Sequence, residues 1–243
     1  MNEEKFTGKA DFYSKFRPTY PVELVDWLYE MTNAERVADV GAGTGIFTKC
    51  LALKPWNITA VEPNDDMRSK LDIAGVEVVK GTAENTNLQN NSVELITAAQ
   101  AFHWFDRDGF KKECGRILKP TGSVAIIYNE RRGGEFWEER KALFKEYCGK
   151  ANVDHLATES VKAGEEELKR VFFSQIETFV IENNRKMDQD SYIGRELSCS
   201  YALKESDSKF AEFKDELKRL FDQYQKDGLV DVNNITVCYL GKI

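Results

Sequence analysis

The run Val37-Ala38-Asp39-Val40-Gly41-Ala42-Gly43-Thr44-Gly45 decides how the rest of this 243-residue chain reads. Residues 37–40 have the apolar character of a buried strand, and three glycines at alternate positions cut it off. Ile46, Phe47, Cys50 and Leu51 then fall on one helical face, with Pro55 closing the segment. A strand, a glycine turn and a helix in that order predict backbone that lies very close to a ligand, with bare N–H groups turned toward it. The dinucleotide pattern G-x-G-x-x-G needs glycine at 46, where this chain has Ile46. Residues 58–62 read as a second strand that ends in Glu62. A carboxylate about twenty residues past the turn can accept hydrogen bonds from both ribose hydroxyls of an adenosine or dinucleotide cofactor. The alternative for Glu62 is a solvated residue at the end of a strand.

Outward from this unit, strand and helix alternate. The pattern predicts a helix over 64–71, a strand over 76–79, strands over 92–98 and 122–128, and a helix over 106–118 between the last two. Such βαβ repetition implies a doubly wound α/β fold, with a mostly parallel sheet covered on both faces. At the other end, Pro18 and Pro21 precede a helix over 22–31. After Asn129 the alternation breaks into helical and polar stretches, with strands expected over 172–181 and 235–240. The clearest late helix runs over 206–224, where Phe210, Phe213, Leu217, Leu220 and Tyr224 recur and Gly228 reads as the stop. These helical insertions either pack over the sheet edge or form a lid over a pocket.

Composition removes several classes. Lys plus Arg number 34 and Asp plus Glu 41, a net charge of −7 that makes nucleic acid a poor main partner. No apolar run approaches the ~20 residues of a membrane span, and the opening residues are too polar for a signal peptide. The five cysteines, Cys50, Cys114, Cys148, Cys199 and Cys238, never fall at C-x-x-C spacing, and His103 and His155 complete no zinc set with them. The expectation is a cytoplasmic protein with reduced thiols and no metal. Oligomeric state leaves no mark on the sequence.

The ordered runs at 37–45, 60–64 (Ala-Val-Glu-Pro-Asn), 81–84 (Gly-Thr-Ala-Glu), 99–105 (Ala-Gln-Ala-Phe-His-Trp-Phe) and 117–122 (Ile-Leu-Lys-Pro-Thr-Gly) resemble a class I S-adenosylmethionine-dependent methyltransferase. The resemblance is strongest to the small-molecule branch that includes the trans-aconitate and quinone-biosynthesis enzymes. It covers about residues 10–130 and implies a Rossmann-like fold with a seven-stranded sheet and helical lid insertions. One domain is expected, divided into an N-terminal cap (1–34), a cofactor-binding core (35–130), lid or substrate insertions (131–170 and 185–227) and last strands (171–183 and 229–243).

The resemblance also implies roles. Gly41 and Gly43 would let the backbone pass under the methionine part of S-adenosyl-L-methionine, with Asp39 bracing the loop or reaching the ammonium. Glu62 would take the ribose hydroxyls, Met67 would lie against adenine, and Ala83 and Glu84 would hold the adenine edge. Thr82 stands where many relatives carry an acid. Gln100 would contact the methionine part. The segment 11–21 matches the family's cap, in which Arg17 is the forked partner for the cofactor's carboxylate or, alternatively, a surface arginine. Tyr13 and Tyr20 either cover the pocket or pack.

Methyl transfer from a sulfonium is an in-line displacement in which alignment alone can supply on the order of 7–11 kcal/mol. A base is needed only for an acceptor that is protonated near neutral pH. His103, just past the fourth strand, is the candidate catalytic residue, either as that base or as a hydrogen-bonding loop histidine beside Trp104. Arg131 and Arg132 either meet an anionic acceptor or form a solvated cluster. The expected partner is a small-molecule methyl acceptor. A non-catalytic cofactor-binding module and a nicotinamide dehydrogenase remain as alternatives.

Overall fold

The computed structural model describes residues 17–149, 164–199 and 201–243. Helix α1 (Val22–Thr32) buries Leu24, Val25 and Leu28 on one face and leads into β1 (Arg36–Val40). The remaining core elements are α2 (Ile46–Leu51), β2 (Asn57–Val61), α3 (Asp65–Arg68), β3 (Val76–Val79), β4 (Val93–Ala99), α4 (Arg107–Ile117) and β5 (Leu118–Arg131). Then come α5 (Glu135–Cys148), α6 (Glu165–Val171), β6 (Gln175–Glu182), β7 (Arg185–Met187), α7 (Gln189–Leu197), α8 (Phe210–Tyr224), β8 (Val230–Val232) and β9 (Asn234–Lys242).

Seven strands form one sheet in the order β3-β2-β1-β4-β5-β9-β6. β1 to β5 run parallel, and β9 runs antiparallel to both β5 and β6. The chain winds outward from β1 to β3, then returns to lay β4 on the other side of β1. That reversal is the topological switch point of a Rossmann-like sheet, where the loops after β1 and β4 part and leave a crevice.

Central strands are apolar throughout because both faces are covered. Ala38, Val40, Ile96, Ala98, Val124 and Ile126 join one core with Phe102, Phe110 and Cys114. Val37, Leu95, Ala125 and Ile127 join the opposite core with Leu24, Leu28, Phe47 and Leu51. The two-residue alternation of strand side chains does the sorting. Burying one such Val, Leu, Ile or Phe side chain contributes roughly 1.5–3 kcal/mol.

A third core lies away from the sheet. Phe144 of α5, Tyr192, Ile193 and Leu197 of α7, Phe213, Leu217 and Phe221 of α8, and Met187, Val230 and Val232 of the β7–β8 ribbon pack together. α5, α7 and α8 of the expected insertions thus share a core of their own, while Leu168 of α6 joins the first core against the sheet.

Among the departures from the sequence reading, three bear on the packing. α6 was not foreseen. Its Glu165–Glu167 and Lys169–Arg170 place acids in the first turn and bases in the last, as the helix dipole favours. Phe172 and Phe173, expected in a strand, follow that helix into the core, so the strand begins at Gln175. Gly228 does not stop α8, which ends at Tyr224. Asp227 (φ 53°) and Gly228 (φ 76°) instead form the tight Lys226–Leu229 turn, the conformation Asp-Gly favours in hairpins. His155 and Tyr13 lie outside the described residues. Among the described residues no helix is long and apolar enough to cross a membrane, and no cluster of His, Cys, Asp or Glu could hold a metal ion.

Candidate functional site

One cleft opens at the switch point. It holds about 1190 Å³ of space, its open mouth included, and Arg17, Asp39, Gly41, Gly43, Glu62, Met67, Ala83, Glu84 and Gln100 all line it. All nine residues named for the cofactor thus share one cavity, although they span 84 positions of sequence (17 to 100).

The glycine turn works through shape. Gly41 (φ 70°), Gly43 (φ 58°) and Gly45 (φ 82°) are left-handed, a region that penalises other residues. A Cβ on Gly41 would sit 2.7 Å from that of Ala101, and one on Gly45 would sit 2.4 Å from Leu71 Cδ2. The expectation of bare N–H groups needs correction. Gly41 and Ala42 both donate to the Val61 carbonyl (2.9 and 3.1 Å), Gly45 donates to Ala42 (2.9 Å), and Gly43 donates to Glu62 (2.8 Å). The loop is thereby fixed by its own amides, and the glycines provide close approach rather than an array of donors.

Glu62 is buried at the end of β2. Its Oε2 accepts from Gly43 N, and its Oε1 accepts from Asn64 N at 2.9 Å. Each oxygen keeps lone-pair capacity, which is what two adjacent hydroxyls require. Burial lifts its pKa above the usual carboxylate value, against the pull of these two N–H bonds. Asn64 also caps α3 by accepting from Met67 N at 2.9 Å, which sets Met67 as a buried apolar wall. Deeper in the cleft, Asp39 is 1% exposed and accepts from Thr48 (2.6 Å) and Thr97 (2.8 Å). Burial outweighs both bonds and raises its pKa to about 6. Asp39 thus ties β1 to α2 and β4.

The remaining residues come from loops. Glu84 is exposed and accepts from Asp106 N (2.9 Å), while Thr82 Oγ1 accepts from Asn85 N (3.1 Å) to hold its turn. Gln100 has φ 53° and donates through Nε2 to the Asn129 carbonyl at 2.8 Å, joining the ends of β4 and β5. Arg17 donates through Nη2 to the Ser198 carbonyl at 3.1 Å, resting on the end of α7.

His103 lies elsewhere. It sits in the 3₁₀ turn Phe102–Trp104, where successive side chains point about 120° apart. Phe102 enters the core, Trp104 lines the cleft, and the His103 ring lies 4.8 Å from Trp104 and 6.3 Å from Tyr128. It is not among the lining residues.

The sequence reading missed Arg195 and its buried ion-pair cluster, of which it named only Arg131. Arg195 of α7 lines the cleft although it is buried. Its neighbour Glu196 is fully buried, binds Arg131 through Oε1, and pairs with Arg140 through Oε2 at 2.7 Å. Arg140 also lies over the Phe144 ring at 3.5 Å. Burial would raise the Glu196 pKa, but the charges of Arg131 and Arg140 hold it below the ordinary value. Nothing local announces this cluster, because Arg195 and Glu196 read as solvated charges until α7 is docked.

The geometry can hold an adenosine cofactor of the expected kind, with an acid for its ribose, an apolar wall for its base and backbone that permits close approach. Comparisons with known proteins agree. A methyltransferase-domain family model matches residues 38–126. An uncharacterized methyltransferase of Schizosaccharomyces pombe is 31% identical over 245 residues, covering 96% of this chain and 95% of its own. An uncharacterized methyltransferase of Mycobacterium tuberculosis is 40% identical over 128 residues, 52% of each chain. Among solved structures, a proposed type II methyltransferase from Anaeromyxobacter dehalogenans superposes with a TM-score of 0.67 at 25% identity, over 93% of this chain and 98% of that one. Sheet order, glycine turn and relatives together place the chain in the class I S-adenosylmethionine-dependent methyltransferases.

Proposed function

We propose that this enzyme methylates a small molecule held in the cleft beside the cofactor, as the small-molecule branch named above does. The observation that carries the reading is the single cleft in which all nine expected cofactor residues meet, with further wall from Tyr20, Trp104, Asn129 and Arg195. The cleft is open at its mouth, which gives an acceptor a route to the cofactor side. The overall charge of −7 supports a small acceptor over a nucleic acid.

When bound, S-adenosylmethionine supplies an electrophilic methyl on a sulfonium. In this reading Glu62 holds the ribose, Met67, Ala83 and Glu84 hold the adenine side, and Arg17 pairs with the carboxylate. Asp39, Gly41, Gly43 and Gln100 shape the floor under the methionine part. Residues 35–130 serve as the cofactor core, with the described parts of the expected cap (17–34) and lid (131–149, 164–170, 185–199 and 201–227) beside it. Arg195, which reaches from α7 into the cleft, supports that division. Trp104, Phe105 and Asn129, at the ends of β4 and β5, form the acceptor half and exclude water during transfer. For His103, packing against Trp104 and Tyr128 supports a positioning role behind that wall rather than proton abstraction.

The test is incubation with methyl-labelled cofactor and a deproteinised metabolite extract. Label in a small product is expected; label only in protein or tRNA, when those are offered instead, would overturn the small-molecule assignment.

A further inference from the structure

The cleft is electrically polar. Its carboxylates, Asp39, Glu62 and Glu84, stand at the β1–β3 side, while Arg195 enters from α7. Among the described residues, the ion pairs of Arg131, Arg140 and Arg195 all run to one acid, Glu196. Three guanidinium groups therefore share a single carboxylate. Its two oxygens are already engaged by Arg131 and Arg140, and the rings of Trp137 and Phe144 further accommodate those two cations.

Arg195 has the poorest share. It is 7% exposed, its Nη1 stands 3.5 Å from Glu196 Oε1, and Nη2 stands 3.5 Å from Asn234 Oδ1, both at the limit of hydrogen bonding. Buried Nη1 makes no hydrogen bond within the described residues. A buried cation without a good counter-ion is costly, and an anion supplied by a ligand would offset that cost. Arg17, the other arginine of the cleft, is already assigned to the single carboxylate of the cofactor, so a second anion has a second source.

We propose that Arg195 anchors an anionic head group, carboxylate or phosphate, on the methyl acceptor. The proposal rests on the cofactor placement given above. A guanidinium fork binds either head through two parallel N–H···O bonds, which positions the rest of the acceptor toward the methyl. The anion so held is the handle of the acceptor, with its nucleophilic atom elsewhere on the molecule.

The experiment uses the full chain loaded with S-adenosylhomocysteine, titrated at constant ionic strength with matched probes: acetate against acetamide, benzoate against benzamide, and methyl phosphate. Protection against thermal unfolding gives apparent affinities. Each acid is expected to bind at least tenfold more tightly than its amide, and the stronger of the carboxylate and phosphate arms identifies the head group. Arg195→Leu is expected to erase the difference while affinity for S-adenosylhomocysteine stays within about twofold. Arg195→Lys keeps the charge without the fork and is expected to retain part of the preference, which covers the case in which the leucine variant fails to fold.

Equal binding of acid and amide to the wild-type protein, up to the solubility limit of the amide, would overturn the proposal. A tenfold loss of S-adenosylhomocysteine affinity in Arg195→Lys would also overturn it, by returning Arg195 to the cofactor's own carboxylate. Failure of the wild type to bind S-adenosylhomocysteine at all would instead strike the cofactor placement.

Discussion

At the β1–β2 end of the cleft most bonds close over short stretches of chain: Gly43 to Glu62 across 19 positions, Thr48 to Asp39 across 9 and Asn64 to Glu62 across 2, with Thr97 to Asp39 across 58 as the long tie to β4. At the α7 end the ion pairs of Glu196 with the earlier arginines are both long-range, with Arg140 across 56 positions and Arg131 across 65. The first region buries acids whose pKa values burial raises; the second buries an acid that two arginines hold down. One is a locally encoded loop that holds its shape through backbone bonds. The other is a charge cluster that exists only once three distant segments have met.

The strongest way to break this contrast is Glu196→Ala. It strips the shared counter-ion from Arg140 and Arg131, and losing one partner of a buried pair costs about 3–5 kcal/mol. Urea denaturation should show that loss; a change under about 1 kcal/mol would mean that the rings and solvent suffice for the arginines.

Asp39 tests the opposite end. Its raised pKa means that the folded state holds the proton more tightly than the unfolded chain does. Stability from this group is therefore fully present below about pH 4 and lost as pH rises through about 6, on the order of 3 kcal/mol in all. Asp39→Asn should remove that slope, so the stability difference between wild type and variant should shift steadily in favour of the variant from pH 4 to pH 7. A pH-independent difference would show that Asp39 is solvated in the native protein.

Next in size, Glu62→Gln should weaken binding of S-adenosylhomocysteine by about 1–3 kcal/mol in calorimetry, because the ribose hydroxyls lose a charged acceptor. Unchanged affinity would detach the ribose from β2 and leave Glu62 as a brace for Gly43 and Asn64 alone.

The smallest effect is expected at His103. If it positions Trp104, His103→Asn should raise KM for the acceptor while the pH profile of kcat keeps its shape. Loss of the acidic limb of that profile, with KM unchanged, would restore the base role.

The glycine end was legible early because its signals are spacing signals. Strand, turn and carboxylate follow one another at fixed intervals, and Gly41 and Gly45 occupy places where a Cβ would collide. His103 was harder. Its position after the fourth strand is readable, but the rotation of a 3₁₀ turn, which sends Trp104 rather than His103 into the cleft, is not. The Asp227-Gly228 turn did carry a local signal, which was read as the stop of α8.

Residue order alone determined the mostly parallel sheet and the glycine turn after its first strand, since apolar runs that must be buried on both faces and glycines that must turn left-handed leave few other arrangements. Tertiary structure alone decided the α7 side of the cleft. Whether Arg195 and Glu196 meet water or each other depends on where α7 docks against α5 and the end of β5, and Coulomb forces between residues so far apart in the chain act only after that docking has excluded the solvent.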